Sequence, residues 1–356
     1  MEVTPTYKNI HLKFKVNGFH YSSEYLKELA YDFVKEGKPF EKEIGNFLFQ
    51  WLDENETIKV RTSGSTGTPK VIELSKQAMV NSALATGDFF KLQPGDRALL
   101  CLPATYIAGK MMLVRAIILG LEIDIVEPAS KLQFDTQKVY DFCAMVPMQL
   151  EKALDTIDHI KTIIVGGAPA SSSLKANLQQ VQTKVYETYG MTETVTHIAL
   201  KAINNTSVSK PNFKVLPGVT ISQDERDCLV VEAPKLCQGK IVTNDMVKIH
   251  SESEFEWLGR FDNVINSGGV KLFPEQIEAK LQHKINSRFF IASEPNDILG
   301  EQLILVVESE SNDLNSEVFS DLDKFEKPKA VYMVKEFVET TSGKIQRKKT
   351  LEIIKK

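Results

Sequence analysis

Short strand-like runs alternate with segments of helical periodicity between about residues 57 and 190. The strand-like runs are residues 58–62, 97–102, 121–126, 162–165 and 184–186. Between them, a helical pattern follows Ser75, a suitable N-cap, and another covers residues 108–119 and stops at Gly120. A further helix is predicted to begin at Pro147. Because strands that alternate with helices of this length form βαβ units, we predict an α/β fold around a largely parallel sheet.

The pattern changes after about residue 210, where short strand-like runs are separated by polar turns. These runs are residues 219–222, 228–232, 240–243, 247–250 and 255–258. They predict a small antiparallel β subdomain. The segment 259–269 is rich in Gly, Asn and Asp, which is typical of a boundary. The remainder alternates again, with helices predicted at 274–281 and 314–325 and strands at 289–292, 303–308 and 331–334. We therefore expect a large domain over residues 1–261 and a small α+β domain over residues 262–356.

Composition excludes several classes of protein. The 356 residues carry 43 Lys and Arg against 47 Asp and Glu, a formal net charge of −4, which argues against nucleic acid as the main partner. The most apolar stretch, residues 111–126, is interrupted by Arg115 and Glu122, so we predict no membrane-spanning segment. Residues 1–16 lack the apolar core of a signal peptide. The four cysteines show no CxxC spacing and are interpreted as buried thiols. A cytoplasmic protein is expected, either monomer or homodimer.

Residues 62–70, with the sequence TSGSTGTPK, form the most informative segment. They follow a predicted strand and precede a predicted helix, a context in which backbone N–H groups bind phosphate oxygens. The segment is not a Walker A loop, because Pro69 stands where that motif has a second Gly before the Lys. A flexible linker is the alternative. The candidate phosphate ligands are Thr62, Ser63, Gly64, Ser65, Thr66, Gly67 and Lys70.

This segment resembles the phosphate loop of the adenylate-forming enzymes, a superfamily of acyl- and aryl-CoA ligases, luciferases and peptide-synthetase adenylation domains. Further motifs of the superfamily follow in the same order down to residue 344. The resemblance implies a large AMP-binding domain with mixed and parallel sheets and a β subdomain, followed by a small mobile α+β domain. It also implies ATP, Mg²⁺ and coenzyme A as cofactor and co-substrates, and a carboxylic acid as substrate. Most members have a longer segment before the loop, so we expect a trimmed amino-terminal subdomain, with helices at 23–36 and 40–55.

Residues 189–194, with the sequence YGMTET, resemble the YGxTE segment of the superfamily. ATP chemistry needs a carboxylate that holds Mg²⁺ and a hydroxyl near the α-phosphate, and Glu193 and Thr192 meet these needs as metal-binding and catalytic residues. Tyr189 offers a flat face to adenine. The alternative is an ordinary surface Glu at a strand end. With the small-residue turn at 166–169, the implied nucleotide-binding residues are Gly167, Ala168, Pro169, Tyr189, Gly190 and Met191.

Two later segments complete the implied nucleotide site. Asp245 stands where the superfamily has the Asp of a TGD segment, so the resemblance implies that it accepts hydrogen bonds from the ribose hydroxyls. Asn244 replaces the usual Gly, and Asn tolerates a left-handed backbone. In the following GRFD segment, Arg260 is implied to contact ribose or phosphate, and Asp262 is implied to be the hinge. An exposed Arg–Asp pair of little energetic value is the alternative.

The small domain carries two further resemblances. Residues 263–271 match the loop that lines the tunnel for the pantetheine arm, which implies that Gly268, Gly269 and Lys271 bind coenzyme A. Residues 340–345 resemble the SGK segment, in which Lys344 is the implied catalytic lysine between the attacking carboxylate and the α-phosphate. Val338 and Glu339 stand where members often have Pro followed by a basic residue.

The acid-binding residues follow from residues 102–109, which resemble the LPxxHxxG segment that gates the acyl pocket. Tyr106 stands at the His position. Arg115 is a lone charge in an apolar helix, so it either extends to solvent or grips a second carboxylate on the substrate. His197 is a further candidate for substrate contact. The motif pattern looks closest to the aryl-CoA ligases of menaquinone biosynthesis, whose acid, o-succinylbenzoate, has two carboxylates.

Three other functions stay open from the sequence. The first is a ligase for another aryl or acyl acid, or one that transfers to a carrier-protein thiol. The second is a non-catalytic nucleotide-binding relative, which the joint presence of Lys344, Glu193, Asp245 and Arg260 disfavours. The third is a Ser–Lys hydrolase that uses Ser342 or Ser65, and the absence of a GxSxG segment argues against it.

Overall fold

The computed structural model of the chain describes residues 4–61, 71–208, 211–311, 314–339 and 345–354. The predicted phosphate loop at residues 62–70 and the predicted catalytic Lys344 lie outside these ranges. The amino-terminal elements, in chain order, are β1 Lys15–Val16, β2 Phe19–His20, α1 Ser23–Lys35, α2 Pro39–Leu52, β3 Thr57–Arg61, β4 Val71–Ser75 and α3 Lys76–Phe90.

The next elements alternate between strand and helix, as the periodicity predicts. They are β5 Arg97–Leu100, α4 Ile107–Leu119, β6 Glu122–Ile125, β7 Tyr140–Met145, α5 Pro147–Lys152, β8 Ile160–Val165, α6 Ser172–Asn177 and β9 Lys184–Gly190. The predicted helix end at Gly120 is confirmed, since this residue closes α4 in the left-handed conformation at φ 73°. Strand β7 was not among the predicted strands. Its sequence, YDFCAM, has two aromatic residues but no β-branched residue and one charge, so its strand propensity is weak.

The strands of the large sheet continue with an antiparallel series. These strands are β10 His197–Ala202, β11 Phe213–Val215, β12 Thr220–Gln223, β13 Cys228–Glu232, β14 Lys240–Ser251 and β15 Glu254–Arg260. The antiparallel pairing of β12 to β15 is the predicted one, whereas β10 and β11 were not predicted. They extend the main sheet, however, because β10 pairs back onto β9 with Leu200 opposite Thr188. The two runs predicted at 240–243 and 247–250 form the single strand β14.

The complete order of this sheet is β12-β13-β14-β15-β11-β10-β9-β8-β7-β5-β6-β1-β2. Pairing is parallel from β9 through β8, β7, β5 and β6 to β1. Side chains of β5 alternate between the two faces. Leu100 joins the core beneath α3 and α4, and Leu99 joins the core beneath α5 and α6. Helices therefore cover both faces of the parallel part, as expected for a buried parallel sheet.

The segment around residues 62–70 differs from the expectation. The phosphate loop was predicted to join a strand to a helix, but β4 intervenes and pairs antiparallel with β3, with Val60 opposite Ile72. In β4, Leu74 is buried and its neighbours are more exposed, which is the alternation of a strand with one covered face. Helix α3 begins only after β4, and its predicted N-cap is confirmed because the Ser75 hydroxyl accepts from the Ala78 N–H. The predicted loop thus connects two strands of a hairpin.

A second sheet follows a 3-10 turn at Phe261–Asn263. Its elements are β16 Ile265–Ser267, β17 Val270–Leu272, α7 Pro274–Leu281, β18 Phe289–Asn296, β19 Gly300–Glu308, β20 Ala330–Val334 and α8 Arg347–Ile354. The strand order is β17-β16-β19-β18, and β20 pairs parallel to β19. Helix α7 covers one face, and α8 packs against the other.

The helix predicted at 314–325 is wrong. In the described part of this segment, a 3-10 turn at Ser316–Phe319 is followed by turns. Acidic side chains beyond the turn pair with α7 and the residues after it: Lys280 Nζ lies 2.6 Å from Glu326 Oε2, and Lys284 Nζ lies 2.7 Å from Asp321 Oδ2. Together with Leu322, which is buried in the core of this domain, these contacts hold the segment in place without a regular helix.

Two general expectations are tested by the whole fold. Cys101, Cys143 and Cys228 are buried free thiols as predicted, whereas Cys237 is only partly buried. Among the helices of the described ranges, none combines the length and the apolar character that crossing a membrane requires.

The ion pair between Lys76 and Asp53 yields a stability prediction. Lys76 is completely buried, and its ammonium donates to Asp53 Oδ1 at 2.7 Å and to the Asp53 carbonyl at 3.0 Å. We expect Asp53→Asn to lower the free energy of unfolding by about 2 kcal/mol in urea titrations, because a buried charge loses its partner. Glu54→Gln, in the exposed Lys8–Glu54 pair, is the control and is expected to change it by less than about 0.5 kcal/mol. Equal effects would contradict the prediction.

Candidate nucleotide and acid site

Three predicted motifs follow the carboxyl ends of parallel strands in the large sheet. Residues 102–109 come after β5, residues 166–169 come after β8, and residues 189–194 begin at the end of β9. The sheet reverses its winding at β5, since β6 lies on one side of this strand and β7 on the other. Ligands of open α/β sheets bind outside the carboxyl ends of the strands at such a reversal. The predicted adenine turn, Gly167, Ala168 and Pro169, is exposed at this edge.

Asp245 is the centre of a cluster that joins three predicted residues. The Tyr189 hydroxyl donates to Asp245 Oδ2 at 2.7 Å, and Arg260 Nη1 lies 3.5 Å from Asp245 Oδ1. The Trp257 indole donates to the same Oδ1 at 3.3 Å. Trp257 was missed from the sequence, although its place in β15, three residues before Arg260, is a signal for it. The cluster holds a carboxylate that is largely buried, with its oxygens oriented by three donors.

The ring of Tyr189 is fixed by aromatic packing. Its centroid lies 5.2 Å from that of Phe255, edge-on, and 5.7 Å from that of Phe213. Burial, and next the negative charge of Asp245, raise the pKa of Tyr189 well above its ordinary value. The phenol therefore stays protonated at neutral pH and acts as a hydrogen-bond donor to Asp245. This contact was not predicted from the YGMTET segment, which pointed only to the flat face of the ring.

Asn244 connects the Asp245 strand to the predicted hinge. Its carbonyl oxygen accepts from Arg226 Nη1 at 3.0 Å, and its amide donates to Asp262 Oδ2 at 3.3 Å. The Arg226 guanidinium lies over the Phe261 ring at 5.2 Å. The sequence allows a left-handed backbone at Asn244, but the residue lies inside β14 and its φ is not positive. The Arg260–Asp262 pair is present at 3.4 Å and belongs to this larger network.

The turn after β9 presents the predicted metal-binding residues. Thr192–Thr194 is a 3-10 turn, within which the Thr194 hydroxyl accepts from the Met191 N–H at 3.1 Å. Buried Val195 then reverses the chain at φ 68°, a strained conformation for a β-branched residue. Glu193 is exposed on the turn beside Thr192. The chain returns as β10, so the turn is held between two paired strands.

The donor set of this turn fits Mg²⁺ shared with a nucleotide. No group of three or more His, Cys, Asp or Glu residues that could hold a metal occurs within the described ranges, so protein side chains alone form no complete metal cage there. Mg²⁺ is usually held by one or two carboxylates together with phosphate oxygens and water. An exposed carboxylate at Glu193 and a hydroxyl at Thr192 supply ligands of that kind.

Gly190 allows the close pairing of the two strands at the turn. A Cβ at this position would lie 2.3 Å from the Thr196 carbonyl oxygen and 2.5 Å from the His197 Cα. His197 stands directly opposite Gly190 in the β9–β10 register. A side chain at position 190 would therefore push His197 away from the predicted nucleotide-binding segment, residues 189–194.

The predicted acid-binding residues lie in different environments. Tyr106 is exposed at the N-cap of α4. Arg115, two turns further along this helix, is only 2% exposed, so the expectation that it extends to solvent is wrong. Its Nε donates to the Thr86 hydroxyl at 3.3 Å, its Nη1 contacts the Met112 sulfur at 3.7 Å, and its guanidinium lies 5.9 Å from the Phe142 ring centre. No ion pair links Arg115 to a carboxylate in the part of the chain that the structure describes.

Charge in this pocket is set by burial. Burial lowers the pKa of Arg115 to about 9, so the guanidinium remains protonated at neutral pH. His197 is 6% exposed, and its Nε2 lies 3.5 Å from the Thr86 hydroxyl oxygen. Burial, and next the positive charge of Arg115, lower the pKa of His197 well below its ordinary value. At neutral pH the buried pair of Arg115 and His197 thus carries one positive charge and a neutral imidazole, an arrangement that favours an anionic partner.

The predicted coenzyme A residues lie in the β16–β17 hairpin. Gly268 and Gly269 form its turn, with φ of 59° and 82°, as a two-residue hairpin turn with left-handed residues requires. Lys271 Nζ lies 3.6 Å from Asp227 Oδ2 of the large sheet, and both side chains are exposed. The structure accounts for the glycines by the hairpin itself, and their contact with coenzyme A stays a prediction.

Comparisons with known proteins agree with this arrangement. The family model described as AMP-binding enzyme matches residues 58–245. The crystal structure of an acyl-CoA synthetase (AMP-forming)/AMP-acid ligase II-like protein from Dyadobacter fermentans is 37% identical, with a TM-score of 0.63 over 92% of this chain and 98% of that chain. The O-succinylbenzoate coenzyme A synthetase of Bacillus subtilis, in complex with ATP and magnesium, has the same fold, with a TM-score of 0.70 at 19% identity over 85% of this chain and 74% of that one.

A curated relative adds a named activity. The 2-succinylbenzoate–CoA ligase of Haemophilus influenzae is 28% identical over 69% of this chain, and the match spans 58% of the length of that relative. The family model covers more than half of the chain, and the Dyadobacter protein is matched over nearly its whole length. This protein therefore belongs to the AMP-binding enzyme family and has the adenylate-forming enzyme fold.

Proposed function

We propose that this protein is an AMP-forming acid–CoA ligase that acts on o-succinylbenzoate, in menaquinone biosynthesis. The observation that carries the proposal is the buried guanidinium of Arg115, which pairs with no carboxylate among the described residues. His197, which neighbours Arg115, pairs with Gly190 in the β9–β10 register. The guanidinium charge is therefore close to residues 189–194, the predicted nucleotide-binding segment. A dicarboxylic acid can neutralise Arg115 with one carboxylate and present the other to ATP. The name of the Haemophilus relative supports this choice of acid.

In this proposal the nucleotide binds at the edge of the large sheet where Asp245 lies. Asp245 accepts hydrogen bonds from the ribose hydroxyls, and Tyr189 and Trp257 keep its carboxylate in place. Arg260 and the loop at residues 62–70, with Lys70, bind phosphate oxygens. The turn Gly167, Ala168 and Pro169 borders adenine, together with the segment Tyr189, Gly190 and Met191.

The reaction has two steps in this proposal. A carboxylate oxygen of the acid attacks the α-phosphorus of ATP, and the bond to pyrophosphate breaks. The coenzyme A sulfur then attacks the acyl carbon, AMP leaves, and the thiol proton passes to solvent. Lys344 neutralises charge between the carboxylate and the α-phosphate, so catalysis is by positioning and electrostatic stabilisation. Mg²⁺ held by Thr192 and Glu193 supplies further charge neutralisation at the phosphates when bound.

The second step uses the small domain. We propose the boundary between residues 1–261 and 262–356 as the domain boundary, with Asp262 as the hinge. The last strand of the large sheet ends at Arg260, and the second sheet starts at Ile265, which supports this position. Gly268, Gly269 and Lys271 then contact coenzyme A, and Tyr106 stands at the entrance to the acid pocket.

A pyrophosphate-release assay over a panel of acids tests the proposed reaction. With ATP and Mg²⁺ we expect release with o-succinylbenzoate and much less with benzoate or fatty acids, and we expect acyl-CoA only when coenzyme A is added. If none of the acids in the panel gives pyrophosphate release, the result would support a non-catalytic relative instead. Turnover of benzoate or fatty acids alone would assign the protein to ligases of monocarboxylic acids, and thioester formation only on a carrier protein would change the acceptor.

The role of Arg115 is tested by Arg115→Ala. We expect the KM for o-succinylbenzoate to rise by about 10- to 150-fold, as for loss of a charged hydrogen bond, with little change in the KM for ATP. Of the two analogues that each lack one carboxylate, 2-butyrylbenzoate and 4-phenyl-4-oxobutanoate, the one that is still turned over keeps the reacting carboxylate and lacks the one bound by Arg115. Its KM is expected to change much less. Arg97→Ala, at an exposed position on the amino end of β5, is the control. An unchanged KM for the dicarboxylate would remove Arg115 from substrate binding.

The role of Lys344 is tested by the two half-reactions measured separately. Lys344→Ala is expected to lower adenylation by at least about 100-fold, because charge stabilisation at the reacting phosphate is lost. Thioester formation from supplied acyl-AMP is expected to stay near the wild-type rate. Lys349→Ala, at an exposed position on α8, is the control for the basic carboxyl-terminal segment. Equal loss in both half-reactions would contradict the assigned role.

A further inference from the structure

Thr86 lies at the centre of a buried polar chain that links α3, α4 and β10. It is 0% exposed, and its hydroxyl donates to the Ser82 carbonyl oxygen at 2.9 Å. The same oxygen accepts from Arg115 Nε at 3.3 Å and lies 3.5 Å from His197 Nε2. The Ser82 hydroxyl in turn bonds the Thr196 hydroxyl at 3.0 Å. The helices α3 and α4 and the strand β10 are thus linked through one atom, the Thr86 hydroxyl oxygen.

The proton count at Thr86 assigns the state of His197. A hydroxyl has one proton, and the Thr86 proton is used by the Ser82 carbonyl. Arg115 Nε is only a donor, so the Thr86 oxygen acts as an acceptor toward it. A neutral imidazole that makes this contact must donate from Nε2, which leaves Nδ1 as an acceptor. The Thr86 oxygen is therefore placed to orient the guanidinium and to favour the imidazole tautomer that is protonated at Nε2.

The geometry of Arg115 depends on this contact. In the described part of the chain, the guanidinium has no carboxylate to orient it, and the sulfur of Met112 and the ring of Phe142 impose no directional hydrogen bond of comparable strength. Among the described residues, the bond from Nε to Thr86 is the one oxygen contact that fixes the plane of the guanidinium. A fixed plane matters because Arg binds a carboxylate through two parallel N–H groups.

We infer that Thr86 is a positioning residue that determines the preference for dicarboxylic acids, acting through Arg115 and His197. This inference rests on the proposed function and adds to it a residue outside the sequence motifs. A hydroxyl that served only its own helix would bond the carbonyl four residues earlier and nothing else. Thr86 instead serves two groups from other elements.

The test compares acid preference in Thr86→Val and Thr86→Ser. Val keeps the shape of Thr and removes the hydroxyl, whereas Ser keeps the hydroxyl. For Thr86→Val we expect the KM for o-succinylbenzoate to rise about tenfold, the loss of one hydrogen bond to a charged group, with kcat and the KM for ATP within about twofold of wild type. The KM for the monocarboxylate analogue that is still turned over, either 2-butyrylbenzoate or 4-phenyl-4-oxobutanoate, is expected to stay within about twofold as well. Thr86→Ser is expected to restore most of the preference.

Thr183→Val is the matched control. Thr183 is also buried, and its hydroxyl donates to the Ile157 carbonyl at 2.7 Å far from Arg115 in sequence and sheet position. A loss of stability alone would therefore occur in both Val variants, but only Thr86→Val is expected to change the ratio of KM values. Nitrogen-15 NMR of the histidine side chains, without substrate, is expected to show His197 protonated at Nε2 in wild type and in Thr86→Ser, and altered in Thr86→Val.

Failure of this inference and failure of the proposed function have different results. Dicarboxylate preference in wild type that is unchanged in Thr86→Val, or that Thr86→Ser does not restore, would overturn the role of Thr86 and leave the proposed function standing. An Nδ1-protonated His197 in wild type would also overturn it. Absence of any dicarboxylate turnover by wild type would overturn the proposed function itself, and this role of Thr86 with it.

Discussion

Parallel pairing of β9, β8, β7 and β5 is the constraint on which the candidate site depends. Parallel strands end on the same edge, so segments that are far apart in sequence meet there without any direct signal between them. The register shows how close this coupling is. Val165 pairs with Glu187, and the Thr188 hydroxyl donates to the Val165 carbonyl at 3.1 Å. The turn after β8 and the segment at the end of β9 are thereby held side by side.

The antiparallel strands bring Asp245 and Arg260, the predicted ribose contacts, to the same edge. Asp245 pairs with Arg260 in the β14–β15 register, so a carboxylate and a guanidinium stand opposite each other immediately before the predicted hinge. Phe255 on β15 and Phe213 on β11 stack at 5.4 Å, and Tyr189 packs against both rings. This aromatic cluster couples β9 to β15 across the intervening strands. The bond from Tyr189 to Asp245 is a consequence of that packing.

The sequence predicts helix caps and most strands well, because residue type and periodicity determine these features locally. The caps of α3 and α4, the start of α7 at Pro274 and the positions of most strands follow from residue type and periodicity. Strand β7 was missed because its stability comes from burial between two neighbouring strands, which no local pattern records. The helix expected at 314–325 failed for the opposite reason, since its apolar spacing is satisfied in a structure held by ion pairs to α7.

The candidate site shows the same division. Three separate motifs predict Tyr189, Asp245 and Arg260 as site residues, and the structure shows that the three side chains form one cluster. Residues outside motifs, such as Trp257 and Thr86, could not be found from spacing, because their function lies in contacts across the sheet and between helices. Thr86 has a weak signal in retrospect: with Ser82 it places two hydroxyls four residues apart on a helix face that is otherwise apolar.

The burial of Arg115 connects stability with specificity. Placing a guanidinium in the core is unfavourable when no carboxylate pairs with it, as is the case among the described residues. There the hydroxyl of Thr86, an aromatic face and a neutral His197 surround the charge. A second positive charge at His197 would add repulsion, so its low pKa keeps the pocket at a single charge. Under the proposed function, an acid without a second carboxylate would leave that charge unpaired. The proposed preference for dicarboxylic acids therefore rests on a counter-ion that is missing among the described residues, and the overall charge of −4 has no part in it.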